Sequence, residues 1–287
     1  MGASWRGSLY ALLLLSTWAG ADTAPPVALQ ANQLHFISAN AEFTLLHEMG
    51  HLLINELQLP VLGREEDAAD QLGFMGLFLL AERQRDADFY AKLLDVADYW
   101  RLEWQRPKRP DEEVYPWDSH GLDAQRFYNI ACLAYGSDPE HLEWIISATG
   151  LPDERAFDCP EEYQQVAHAV NWLEQHFRRP AATPIQHRIQ VIYDQPPPSL
   201  PHGEQILAMV RASGELETVA KRASETFALP RGLTLRLTSC GADDAWYNRH
   251  SGELTLCYER LAHFQQLAQQ LPRLRAGETQ QINPAPR

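Results

Sequence analysis

The chain has 287 residues, 45% hydrophobic, 10% aromatic and 22% charged, which excludes a disordered chain and supplies apolar surface for one large or two small cores. Its 38 acidic side chains outnumber the 24 basic ones, giving a net charge of −14 with no basic stripe. Nucleic acid and anionic membranes are therefore poor partners.

The first residues bear on the compartment. Arg6 supplies a positive start, Leu9 to Leu15 a short apolar run, and Ala19-Gly20-Ala21 a small-residue cleavage site ahead of Asp22. This is the three-part pattern of a signal peptide over 1–21, too short in its apolar run to span a bilayer. No membrane span is expected, and the mature protein should be exported, either periplasmic or secreted. Four cysteines without a CxxC pair fit that compartment and predict two disulfides. The pairing Cys132–Cys159 and Cys240–Cys257 is preferred because each pair lies within one local unit.

Residues 22–39 read as an irregular lead-in. From Asn40, a candidate N-cap, to about Leu57 the apolar residues Phe43, Leu46, Leu53 and Leu57 recur at helical spacing, and Pro60 and Gly63 mark the turn that follows. A second helix starts near Glu65 and runs through the apolar stretch 74–80. A third spans Asp86 to Gln105 and is ended by Pro107 and Pro110. After a loop over 107–120, helices are expected over Asp123–Tyr135, Pro139–Ala148 and Pro160–Phe177. The region 178–187, with Pro180 and Pro184, reads as a linker. Beyond it come a strand over Ile189–Tyr193, short helices near 203–212 and 215–227, and strands over Leu233–Leu237 and Glu253–Tyr258. These last two are expected to form a hairpin, with turns at Gly241 and Gly252 and a Cys240–Cys257 clamp. The stretch 271–287 should fray.

His47-Glu48-Met49-Gly50-His51 is an HExxH motif on what reads as a strongly amphipathic helix. Residues i and i+4 share a helix face, so both imidazoles can reach one zinc ion, and the Glu48 carboxylate between them can take a proton from its water. A chain of this composition contains about 0.03 such matches by chance. Gly50 costs a helix about 1 kcal/mol and suggests the close approach of another backbone. A catalytic zinc site needs a third protein ligand. A later glycine and histidine at positions 54 and 57 would supply the metzincin pattern, but these are Ile54 and Leu57. The acidic cluster Glu65, Glu66, Asp67, Asp70 remains. Glu66 and Asp70 form an ExxxD pair on one face, with Glu66 as ligand and Asp70 orienting a ligand histidine, the gluzincin arrangement; Glu65 could take the place of Glu66. A donor to the developing oxyanion is also required. His120 is the first candidate, with Tyr128 on the next helix and Tyr247 as others. The stripe Trp100, Trp104, Trp117 reads as packing rather than as a substrate shelf.

The segment FTLLHEMGHLLINELQLPVLGREEDAADQLG (43–73) closely resembles a family of bacterial metallopeptidases classed chiefly as a domain of unknown function. SHGLDAQRFYNIACLAYGSDP (119–139), LPDERAFDCPEEY (151–163), LPRGLTLRLTSCG and AWYNRHSGELTLCYE resemble its other blocks. The resemblance implies an exported zinc-dependent peptidase with His47, His51 and Glu66 as ligands and Glu48 as base, and names no substrate. In that family the block with the two cysteines and the AWYN-like motif precedes the HExxH helix. Here it follows residue 187, which reads as a circular permutation that leaves the assembled fold intact.

The expected protein is thus α+β: a mainly helical, zincin-like core over 22–177 and a small α/β portion over 188–270 that completes the same fold. It should bind one Zn²⁺ per chain and hydrolyse a peptide or protein substrate. The main rival is an inactive zinc-binding protein that holds a peptide or envelope component; a structural scaffold would bind no metal.

Overall fold

A computed structural model describes residues 30–82, 84–108, 112, 115 and 117–277. The segment 1–21, expected to be a signal peptide, lies outside them, as do residues 22–29 and 278–287.

The first helix, α1 (Ala31–Glu56), is longer than its periodicity suggested. It takes in residues 31–39, the second half of the supposed lead-in, because Phe36, Ile37 and Ala39 are core residues. Asn40 is therefore no cap. It is buried mid-helix, donating to the carbonyls of Phe36 and Asp95. The cap is Gln30, whose amide donates to the Gln33 side chain. Nor is α1 amphipathic: apart from Ser38, every residue from Phe36 to Gly50 is buried. A helix covered on nearly all sides is a central one.

On α1 pack α2 (Glu65–Ala81) and α3 (Ala87–Gln105); α4 (Asp123–Ser137) packs on α3, α7 (Cys159–Phe177) on α4 and α2, and the short α5 (Trp144–Thr149) and α6 (Asp153–Ala156) against α4. Residues 139–143, where the sequence suggested the start of a helix, form turns instead. The C-terminal portion adds β1 (Ile189–Tyr193), α8 (Gly203–Ser213), α9 (Glu215–Thr226), β2 (Leu233–Thr238), β3 (Ala245–Asn248), β4 (Glu253–Cys257), α10 (Tyr258–Ala268) and α11 (Leu271–Arg275). One buried apolar cluster runs from Phe36 to Leu274 through both portions. The mainly helical α+β class is as expected.

The sheet has the order β1-β2-β4-β3, with β1, β2 and β4 parallel and β3 antiparallel to β4. The expected hairpin of β2 with β4 is thus corrected. These strands are parallel neighbours, and the hairpin is β3–β4, closed by Gly252 at φ +71°. Fourteen residues separate β2 from β4 (239–252). That is enough chain to pass the edge, lay down β3 and turn back. Missing from the sequence reading was α10, whose Tyr258, Leu261, Phe264 and Leu267 are buried against α1 and α3. The chain expected to fray from 271 first forms α11, anchored by buried Leu271 and Leu274 and by Arg275, which clamps Asp95 and Asp98 of α3.

The sulfurs of Cys132 and Cys159 are 2.03 Å apart and those of Cys240 and Cys257 1.97 Å apart, the expected pairs. The first pair joins α4 to the start of α7, where Gly136 makes the helices nearly touch. A Cβ there would lie 2.2 Å from the Cys159 carbonyl oxygen. Gly136→Ala must push apart backbones that a cystine holds together, and should cost about 3 kcal/mol in urea unfolding.

Glu103, buried between His263, Arg106 and Lys108, gives a second expectation. Burial alone would raise its pKa, but His263 and Arg106 hold it down to about 2. A carboxyl depressed in this way stabilises the fold above its ordinary value of 4.5, and that contribution is lost as pH falls toward 2. Glu103→Gln should therefore flatten the fall in melting temperature across this window.

Candidate metal centre

Helix α1 delivers the HExxH residues and α2 the acidic ones. After Glu56 the chain turns through Gln58 at φ +52°, with the Leu59 amide bonded to the Ile54 carbonyl at 3.0 Å, a Schellman turn with glutamine where glycine is usual. Residues 57–64 then bring α2 back along α1. Small residues set the spacing: a Cβ on Gly50 would lie 3.1 Å from Ala69 Cα, and one on Gly73 3.0 Å from the His47 amide nitrogen. The backbone approach that Gly50 suggested is that of α2 at Ala69. It places the first turn of α2 opposite His47 and His51, with its carboxylates at a helix N-terminus that favours negative charge.

His47, His51 and Glu66 each offer one ligand atom, and the three atoms lie within 4.8 Å of one another. Each imidazole has its Nδ1 occupied by a carboxylate: His47 by Asp70 at 2.8 Å, His51 by Glu65 at 2.8 Å. An Nδ1 proton donated outward leaves an Nε2 lone pair facing inward. Both Nε2 atoms lie 3.4 Å from Glu66 Oε2. His120, more exposed, puts its Nε2 3.1 Å from the same oxygen and its Nδ1 3.1 Å from Asp118. Glu66 Oε2 is nonetheless buried with no donor aligned to it. Two imidazole nitrogens and one anionic oxygen converging within 4.8 Å are the N/O donor set of a divalent metal, which would take the place of protons between them, so the group fits a metal ion.

The carboxylates supply the field. Burial would lower the histidines, but Asp70 and Glu66 raise His47, and Glu66 and Glu65 raise His51 to about 9. Glu66 is held far below the carboxylate range by His120, His47 and His51 against the effect of its burial. Burial also pushes Glu48 up, and His47 and His51 counter this incompletely. Its Oε1 lies 4.0 Å from His47 Nε2, beside the converging atoms and not among them.

Sequence reasoning favoured Glu66 and kept Glu65 as the alternative; here Glu66 carries the inward oxygen and Glu65 steadies His51, assisted by the Asn55 amide at 3.0 Å. It missed Arg126 altogether. This arginine of α4 grips both oxygens of Asp70 and lies 3.6 Å over the Trp100 ring, so that Arg126 fixes Asp70 and Asp70 fixes His47. No local signal marks a residue 56 positions from its partner. Asp70→Asn should weaken metal binding about 10- to 100-fold in a chelator competition, with the fold retained.

The cleft over this group is about 740 Å³. Its floor is His47, Glu48, His51 and Glu66, and its walls include His120 and the β3–β4 hairpin from Asp244 to His250. Tyr247 faces the cleft, with its hydroxyl on Glu56, whereas Tyr128 packs against Trp104 and Phe127 away from it. Trp100 and Trp104 are packing residues, as expected; Trp117 stacks on Tyr115 at the surface.

A family model described as "Putative metallopeptidase" matches residues 24–174 and 196–283, most of the chain. No curated protein and no solved structure matches it. Among the described residues no helix is long and apolar enough to cross a membrane.

Proposed function

Since the chain belongs to this metallopeptidase family, we propose that it is an exported, zinc-dependent peptidase working at the His47–His51–Glu66 group. The observation that carries the reading is the buried Glu66 oxygen faced by two imidazole nitrogens, with a buried carboxylate, Glu48, alongside. The two cystine pairs agree with export.

Held by His47, His51 and Glu66, zinc would supply Lewis acidity, acidifying a water and polarising the peptide carbonyl. Glu48 takes the proton of the attacking water and returns it to the leaving amine nitrogen. His120, at the rim, donates its Nε2 proton to the oxyanion as the carbonyl becomes tetrahedral. Asp70 and Glu65 keep the ligand imidazoles in the required tautomer, and Arg126 keeps Asp70 in place. The outer edge of β3, the last strand of the sheet among the described residues, offers backbone groups along which an extended peptide can lie.

Elemental analysis of the purified mature protein, paired with a peptide-library digest with and without chelator, tests this reading. About one zinc per chain and chelator-sensitive cleavage are expected. Bound zinc without cleavage would favour an inactive binding protein, and no metal even after incubation with zinc would end the proposal.

A further inference from the structure

One side chain joins the wall of the cleft to the helix that carries the floor. Arg231, just ahead of β2, donates from Nε and Nη2 to the two oxygens of Glu56 at 3.0 and 2.6 Å. Glu56 ends α1, five residues beyond His51, and its side chain is only 7% exposed. The same guanidinium donates from Nη1 to the His250 carbonyl at 3.2 Å and from Nη2 to the Arg249 carbonyl. Tyr247 completes the knot, its hydroxyl donating to Glu56 and lying 3.5 Å from Nη2. The turn closes tightly over this group: a Cβ at Gly252 would lie 3.2 Å from the Arg231 Cζ. The end of α1 and the β3–β4 turn, 191 residues apart at Glu56 and Tyr247, thus meet on one planar fork, and Tyr247, Arg249 and His250, which it holds, line the cleft.

We propose that Arg231 is a positioning residue that holds the β3–β4 turn against the end of α1, so that a peptide bound over the metal group meets a wall of fixed geometry. The inference rests on the peptidase reading for its kinetic consequence only. An ion pair buried on the Glu56 side and exposed on the Arg231 side is weak evidence of net stabilisation, since the desolvation of Glu56 offsets part of an attraction that solvent already screens. What the fork adds is direction, because a guanidinium makes several bonds in fixed directions where an ammonium provides a point charge. The β3–β4 ladder does not depend on Arg231, and neither do the bonds of the turn itself, from the amides of His250 and Ser251 to Asn248 Oδ1. Loss of the guanidinium should therefore loosen the placement of the turn and leave the strand pairing intact.

The test uses the full mature chain with Arg231→Lys, Arg231→Met and Glu56→Gln. In hydrogen exchange, amides of residues 246–251 should exchange about tenfold faster in all three variants, with those of residues 44–52 unchanged. With a library-derived peptide, KM should rise about tenfold while kcat changes less than threefold, and zinc content should match the wild type. Arg231→Lys is the discriminating case: it restores the charge beside Glu56, and with it the melting temperature, yet should keep most of the KM defect. Unchanged exchange in the turn, or a KM defect that Arg231→Lys abolishes along with the stability loss, would overturn the proposal. If the methionine variant does not fold, the other two decide. A wild type that cleaves nothing would count against the peptidase reading, and the exchange measurement would still decide the role of Arg231.

Discussion

Glu48→Gln is expected to lower kcat for peptide cleavage by about 10³-fold, within the range that a positioned general base contributes. The substitution preserves shape and removes only the ability to accept a proton. Glu48 lies outside the three-atom group, so bound metal should remain near one ion per chain. Burial already disfavours its charged form, so a neutral amide in its place should leave the melting temperature equal or slightly higher. Unimpaired cleavage by this variant would mean that the proton is taken elsewhere and would remove the proposed mechanism. Activity lost together with the metal would instead reassign Glu48 as a ligand.

His51→Ala and Glu66→Gln should each empty the site. Either leaves two of the three converging ligand atoms, and zinc affinity should fall on the order of 10³-fold, about 4 kcal/mol. Because a metal that binds only the folded state stabilises it by mass action, added zinc should raise the melting temperature of the wild type and leave both variants unmoved. Glu66→Gln is the sharper of the two, since it exchanges one oxygen for an amide nitrogen and creates no cavity. Were Glu66→Gln to bind zinc normally and Glu65→Gln to lose it, the inward and outward roles of the two carboxylates would be reversed.

Much of the centre was legible because the relevant distances are short along the chain. Four residues on a helix bring His47 and His51 to one face whatever the rest of the fold does, and the same spacing joins Glu66 to Asp70. The cysteine pairs were legible for a similar reason, each closing a local loop of 27 or 17 residues. Gly50 signalled a close approach without naming the backbone that would make it.

The sequence by itself thus determined the fold class, the local pairs of candidate ligands and the cystine partners. Tertiary structure alone decided between Glu65 and Glu66, since adjacent residues at a helix start differ by about 100° in direction and only the placement of α2 on α1 selects one of them. It alone brought Arg126 to Asp70 and Arg231 to Glu56, pairs separated by 56 and 175 residues. It also reversed two readings that were sound on local grounds. The apolar period of α1 suggested one buried face, but packing from α2, α3, α10 and β3 covers the helix on nearly every side. The alternation in β2 and β4 identified strands without identifying neighbours, because a period of two states which face is buried and is silent about which strand lies alongside. Partner and direction are set by where the intervening chain can run, and here it had room to insert β3 at the edge that borders the cleft.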